Sequence, residues 1–369
     1  MKMKSSIFIL LLLSSCFGGP VDPKGDKVKD LVILWQYAYD VLGFPEAPPL
    51  VSGDKIYMSG DQYLTQLKET DGSTGWRTLV DTERPLRGQK FLHHAEQVAA
   101  VHDGVIKGWN KLTGEQEWEY TYSDSLEPRR NGNIDETENG YVFSALNSKL
   151  FILSQNGELM LEKQLDNAYS VMGVTYANDK LYLGQRNTVH GALTLGRITA
   201  LNAQTGDSLW AFDTDQGGFT WAAPIVEDGV VYAGTYLGNP SRVFALNAET
   251  GEKIWERSGF STYKIHSSEN KIYVNASGWL YAINKADGSI AWSITFEGSG
   301  FGNIVHLEGY VYHVRNSELV VVRDETGEVV HREPVPDGST IWHLAASSDK
   351  IFAQTSNQLI AYQPWHLRN

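Results

Sequence analysis

Beyond position 16 the chain contains no cysteine. The body of the protein therefore has no disulfide framework, no thiolate metal site and no cysteine nucleophile. Charged residues make up only 20% of the sequence while aromatic residues reach 11%, a composition that excludes general disorder. Positive charge is in deficit, with 31 Lys and Arg against 44 Asp and Glu. The apolar run from Ile7 to Leu13 is too short to span a bilayer. Neither a Gly-x-Ser-x-Gly nucleophile elbow nor a His-Glu-x-x-His zinc motif occurs, and Gly298–Gly302 opens no helix, so phosphate cradling is not expected.

What is present begins with targeting. Lys2 and Lys4 precede the apolar stretch, and Leu13-Ser14-Ser15-Cys16 follows it, a tetrapeptide that resembles the lipobox of bacterial lipoproteins. Residues 1–16 are read as the lipoprotein signal, with Cys16 as the lipidated residue and the membrane anchor. Residues 17–30 mix Gly, Pro and charge without periodicity and are read as a flexible tether. Phe17 stands where an aspartate commonly retains lipoproteins in the inner membrane of enteric bacteria. Outer-membrane residence facing the periplasm is therefore expected. Without Lys2 and Lys4 the balance is 29 basic to 44 acidic residues, a formal charge of −15. Such a surface repels phosphate backbones, so nucleic acid is not an expected partner.

The body repeats one phrase. Its clearest copies are Ala200–Ala211, Ala245–Glu256 and Ala282–Ser293, and weaker ones start at Gln66, Gly108, Ile152 and Val321. In each, a glycine precedes a large residue by four positions: Gly72/Trp76, Gly114/Trp118, Gly157/Leu161, Gly206/Trp210, Gly251/Trp255, Gly288/Trp292 and Gly327/His331. Two further alternating stretches and a looser segment precede each copy. Four short strands at this spacing are the pattern of a propeller blade. The glycine supplies the positive φ of a tight hairpin between third and fourth strands. Near the C-terminus, Lys350–Thr355 and Gln358–Trp365 lack a fourth strand, whereas Leu31–Asp40 near the start carries Trp35 in register with the repeat. The expected fold is all-β: one eight-bladed propeller over residues 31–369, made of four-stranded antiparallel blades, its last blade closed by the N-terminal strand.

The pattern A-x-N-x-x-T-G-x-x-x-W resembles the PQQ-like repeat family of quinoprotein propellers over residues 31 to 364. That resemblance implies that Trp35, Trp76, Trp118, Trp210, Trp255 and Trp292 dock against neighbouring blades. Leu161 and His331 depart from the pattern, so weaker seams are expected at blades three and seven. Enzymes of the family hold the quinone with calcium ligands and a catalytic aspartate, often under a disulfide ring. Here the body has no cysteine, little chain for a roof and no evident calcium carboxylates, so neither a cofactor nor a catalytic residue is expected. His266, His306 and His343, with His93 and His94, fall on first strands that line the channel. Being out of register and without a carboxylate, they are read as polar lining and not as metal ligands.

Links between blades and between second and third strands emerge on one face. Insertions Gln185–Arg197 and Thr235–Val243 lie there, together with Arg87, Phe91, Arg129, Arg130, Tyr169, Phe219, Trp221, Tyr263, Phe301 and Trp342. Aromatic and arginine side chains at loop tips are the usual interface anchors, so this set is the candidate site for a peptide or protein partner. Signal, tether and propeller together resemble the BamB family of outer-membrane assembly lipoproteins, which implies a non-catalytic scaffold. The alternative is a ligand-binding or enzymatic propeller with a saccharide or quinone in its funnel.

Overall fold

The computed structural model describes residues 30–368 except 40–44, 46, 61, 81–90, 95, 103, 123–133, 146–147, 188–194, 216, 220–221, 237–239, 261, 277 and 297–301. Cys16 and residues 17–29 thus lie outside the described residues. Eight antiparallel sheets follow one another along the chain. Blades 1 to 4 span residues 50–79, 92–121, 134–164 and 169–213, and blades 5 to 7 span 218–258, 262–295 and 305–334. Blade 8 consists of Ile341–Ala346, Ile351–Thr355, Gln358–Tyr362 and, as its outermost strand, Ile33–Ala38. The ring is closed by the N-terminal strand, as the position of Trp35 implies.

Burial follows strand order within each blade. Second and third strands such as Gly140–Ser144 and Lys149–Ser154 are buried on both faces, because neighbouring blades cover each side. Fourth strands such as Ser208–Asp213 shelter only alternate residues, and those only in part. The hydrophobic core is accordingly a series of layers between blades. Tyr273, Leu280, Ala282 and Trp292 of blade 6 pack on Ile304, Val311, Val320 and Val322 of blade 7, and the other layers are built alike. In blade 5 the first strand is broken into Gly218–Phe219 and Ile225–Glu227, both paired with Val230–Tyr236. Pro224 lies in the gap, where it has no N–H to give to the ladder.

The repeated phrase is a single device for turning the chain and joining two blades. In blade 5, Asn247 Oδ1 accepts hydrogen bonds from the N–H groups of Glu249 and Thr250, Thr250 Oγ1 accepts from Glu252, and the Gly251 N–H closes on Asn247 O. Gly251 has φ +73°, and a Cβ there would lie 2.5 Å from Trp210 of the preceding blade. Glycine is thus demanded twice, by the backbone and by the indole stacked on it. The indole N–H then donates to a carbonyl in that same turn: Trp35 to Glu69, Trp76 to Lys111, Trp210 to Ala248, Trp255 to Lys285 and Trp292 to Asp324, at 2.6 to 3.1 Å. In blade 3 the turn is one residue shorter, with Gly157 N bonded to Ser154 O, and Trp118 donates to Gln97 Oε1 instead. Ion pairs across the seams reinforce the register, among them Lys350–Glu69 at 3.0 Å and Lys271–Asp324 at 3.0 Å.

The two exceptional seams differ from one another. Leu161 lies 3.1 Å from the site of a Cβ on Gly206 and offers no N–H donor, so the blade 3–4 seam lacks the indole bond and is bridged there by Lys163, whose ammonium lies 2.9 Å from Asp207. At the blade 7–8 seam the structure departs from the expectation of a plain loss. His331 stacks on Trp365 of the C-terminal 3₁₀ turn Trp365–Leu367, with ring centroids 5.1 Å apart. The indole is supplied from the opposite side because blade 8 has no third-to-fourth turn to carry the glycine. His331 Nε2 also lies 2.8 Å from Glu333 Oε2, and that carboxylate accepts the N–H of Leu31 at 2.6 Å, where the closing strand enters.

Candidate functional site

First strands of neighbouring blades touch around the ring and so form the wall of its central channel. In blades 4, 6 and 8 this strand carries a bulge at one common register. The displaced residues are Met172, Tyr263 and Trp342, which fall between the pairs Val171–Gln185 and Gly173–Gly184, Thr262–Ala276 and Lys264–Asn275, and Ile341–Thr355 and His343–Gln354. A bulge re-aims a side chain and increases the local twist. The three bulges lie at the ends of first strands that face the links between blades, so two of the expected aromatic residues, Tyr263 and Trp342, occupy equivalent backbone positions. Trp342 is half-buried and its indole N–H donates to Ser356 Oγ at 2.9 Å.

Three other members of the expected set serve the fold. Phe91 and Phe219 are buried core residues, 3% and 2% exposed, and Tyr169 is buried beneath the guanidinium of Arg197, 4.3 Å from its ring centroid. As exposed loop-tip anchors these three are corrected. Each stands at the edge of a blade, where the entering chain tucks under its neighbour: Phe219 packs on Phe244, and Phe91 joins the layer of Val98 and Trp109. Arg87, Arg129, Arg130, Trp221 and Phe301 lie outside the described residues, as does the side chain of Tyr263.

Of the channel histidines, His266, His306 and His343 have identified contacts, while the side chains of His93 and His94 lie outside the described residues. His306 Nε2 lies 3.4 Å from Asp324, and its ring stacks on Tyr273, as does that of His266. His343 Nε2 donates to Pro45 O at 3.0 Å, which fixes its tautomer with the proton on that nitrogen. Burial, reinforced by His306, pushes His266 down to about 4, and burial pushes His343 to about 4 against its bond to Pro45. Burial raises the Asp324 carboxyl, but bonds from His306, Tyr273 and Lys271 outweigh it and hold the group at about 2. Lys264 lies deep in the ring yet keeps solvent contact, and burial lowers its ammonium below the usual range. Among the described residues no group of three or more His, Cys, Asp or Glu is arranged to hold a metal ion.

One concavity of the described surface was not foreseen. Thr295, Phe296, Arg315, Asn316, Ser317, Glu318 and Arg332 line a cavity of about 520 Å³ between blades 6 and 7. Its residues come from the exit of a fourth strand and from a second-to-third turn, so it opens on the face that carries the links between blades. The only hint in the sequence is Arg315, an arginine ending a second strand where blades 6 and 8 carry Ala276 and Thr355.

Ring, closing strand and indole-on-glycine seams define the class: an eight-bladed propeller of the quinoprotein type. A family model described as outer membrane protein assembly factor BamB matches residues 32–192, 194–275 and 241–365. The chain belongs to that family. Among solved structures, BamB from Moraxella catarrhalis superposes with a TM-score of 0.71 at 14% identity, covering 90% of this chain and 100% of that one. A europium-containing methanol dehydrogenase gives 0.73 at 10% identity, with coverage of 90% and 93%. The quinohemoprotein alcohol dehydrogenase of Comamonas testosteroni gives 0.72 at 11%, with coverage of 91% and 76%. At such identities these likenesses show the fold alone. A comparison with curated proteins finds no match.

Proposed function

We propose that this protein is a non-catalytic scaffold of the bacterial cell envelope, anchored through lipidated Cys16 at the outer membrane and facing the periplasm. Its role is that of an outer membrane protein assembly factor, with a protein or peptide partner on the face that carries the links between blades. The observation that carries this reading is the family match over almost the whole propeller. The re-aimed positions Tyr263 and Trp342 support the choice of face, and Arg87, Arg129, Arg130, Trp221 and Phe301 complete the proposed contact set. The bonding already committed around His266, His306 and His343 supports a structural and not a catalytic use of the channel.

The test compares recovery of partners from envelope extract by the wild-type chain and by the double variant Arg129→Glu, Trp221→Ala. Selective loss of one partner is expected; unchanged recovery contradicts the chosen face. The dehydrogenase-like alternative is checked by adding pyrroloquinoline quinone and calcium to the purified chain. A saturable change in its visible spectrum favours that alternative.

A further inference from the structure

Lys264 lies on the first strand of blade 6, Thr262–Ser267, directly after the bulge at Tyr263. Lysines at the seams meet carboxylates: Lys271 reaches Asp324 at 3.0 Å, Lys285 reaches Glu227 at 2.6 Å and Lys350 reaches Glu69 at 3.0 Å. Among the described residues the ammonium of Lys264 has no ion pair and no hydrogen bond. Polar groups on the adjoining wall are committed elsewhere. Asn303 exchanges two hydrogen bonds with the backbone of Leu344, at 2.7 and 2.6 Å, and Asn275, paired with Lys264 across the ladder, donates to Gly302 O at 2.9 Å. His343 is close enough for the Lys264 charge to oppose its protonation, but its Nε2 proton goes to Pro45 O, and like His266 it is neutral at pH 7. Beside this strand the first strand of blade 5 is interrupted between Phe219 and Ile225, and Thr262 packs directly on Gly234 of the second strand.

We propose that Lys264 Nζ is a covalent capture site for a small aldehyde, held on the channel wall as an imine. An amine that loses hydration and gains no counter-charge gives up its proton more readily, and burial does lower the Lys264 ammonium below its usual range. The neutral amine is the nucleophile. Its lone pair forms a bond to the carbonyl carbon, a proton passes from nitrogen to the carbonyl oxygen, and the carbinolamine so formed loses its hydroxyl group and the second nitrogen proton as one water. The C=N bond that remains needs no oxidant, reductant or cofactor. Capture is stoichiometric and reversible, so the inference goes beyond the scaffold reading without making the protein a catalyst. A neutral amine offers little attraction to an anion, which is why a carbonyl and not a carboxylate is the assigned ligand chemistry. Lys264 keeps solvent contact, so the nitrogen remains open to a small molecule.

The experiment incubates the purified chain with propanal at pH 7, fixes imines as secondary amines with cyanoborohydride, and follows each lysine by peptide mass spectrometry. Lys264 is expected to react at least about fivefold faster than Lys253, whose side chain is 46% exposed. That ratio should fall as the pH is raised toward about 10, where exposed amines also lose their protons. It should vanish in denaturant, where every lysine meets water. Without the reductant, the added mass should disappear on dialysis, as an imine hydrolyses. Lys264→Met, which keeps the length of the side chain without its amine, should lack the one fast-reacting equivalent. Modification of Lys264 no faster than that of Lys253, a ratio unaffected by denaturant, or a fast equivalent that survives Lys264→Met overturns the proposal. The labelling involves no partner protein, so its failure and the failure of the scaffold reading are separate results.

Discussion

At the scale of the residue, each repeated tryptophan fills the space above a neighbouring glycine and, Trp118 excepted, ties its N–H to the same turn. Trp255 is 7% exposed, stacks on Gly288 and donates to Lys285 O at 2.8 Å. Trp255→Ala removes both the packing and the donor, and should cost about 3–5 kcal/mol in equilibrium unfolding. Trp255→Phe keeps most of the apolar contact but leaves the carbonyl without its partner, so about 1–2 kcal/mol is expected. A second residue-scale expectation concerns acid. His266 and His343 are held neutral to about 4, while in the unfolded chain a histidine takes its proton near 6.5. The unfolded state therefore binds more protons as the pH falls below about 6.5, and stability declines until about 4. Asp324, ionised down to about 2, adds a further loss only below about 4. Thermal unfolding across that range should show the decline, and His343→Gln should flatten it. An unchanged slope in that variant contradicts the buried neutral imidazole.

At the scale of the element, closure depends on strand Ile33–Ala38 and the latches at its ends. Leu31 N–H meets Glu333, Gln363 N–H meets Val32 O, and Tyr39 gives its N–H to Asn357 O and its hydroxyl to Thr355 O at 2.7 Å. A chain beginning after Tyr39 should retain sheet content by circular dichroism but unfold at markedly lower denaturant, since blade 8 then offers an open edge. Unaltered unfolding would contradict closure by this strand. The milder change Trp365→Ala should weaken the blade 7–8 seam by removing the partner of His331. Strand order, blade count and closure were legible in the sequence because one local turn device recurs at fixed spacing. Leu161 and His331 looked alike as departures from it, yet only Leu161 leaves the seam without an indole. The replacement, Trp365, comes from a segment that is not part of the repeat. Phe91, Tyr169 and Phe219 read as loop tips because links between blades lack periodicity, and nothing local marks where a link dips beneath its neighbour. The pair Arg315 and Arg332 was invisible for a similar reason, since the two residues meet at Phe296, which belongs to a different blade.

At the scale of the molecule, closed seams all round give a rigid ring whose variable parts are confined to its faces. Dehydrogenases and BamB share this ring at low identity, so the fold by itself carries no activity. On that ring the described residues of this chain carry a channel wall into which His266, His306 and His343 are packed, three bulged first strands, and a cavity lined by Arg315 and Arg332. The proposed scaffold role assigns the face that carries the links between blades to capture of a protein segment. The measurement that tests this account most directly is affinity purification of the full-length chain from its native membrane, followed by mass spectrometry. Co-purification of the outer-membrane protein assembly machinery, in stoichiometric amounts and diminished by Arg129→Glu with Trp221→Ala, is the expected result. Recovery of the chain free of any such component, or carrying a stoichiometric quinone, would contradict it.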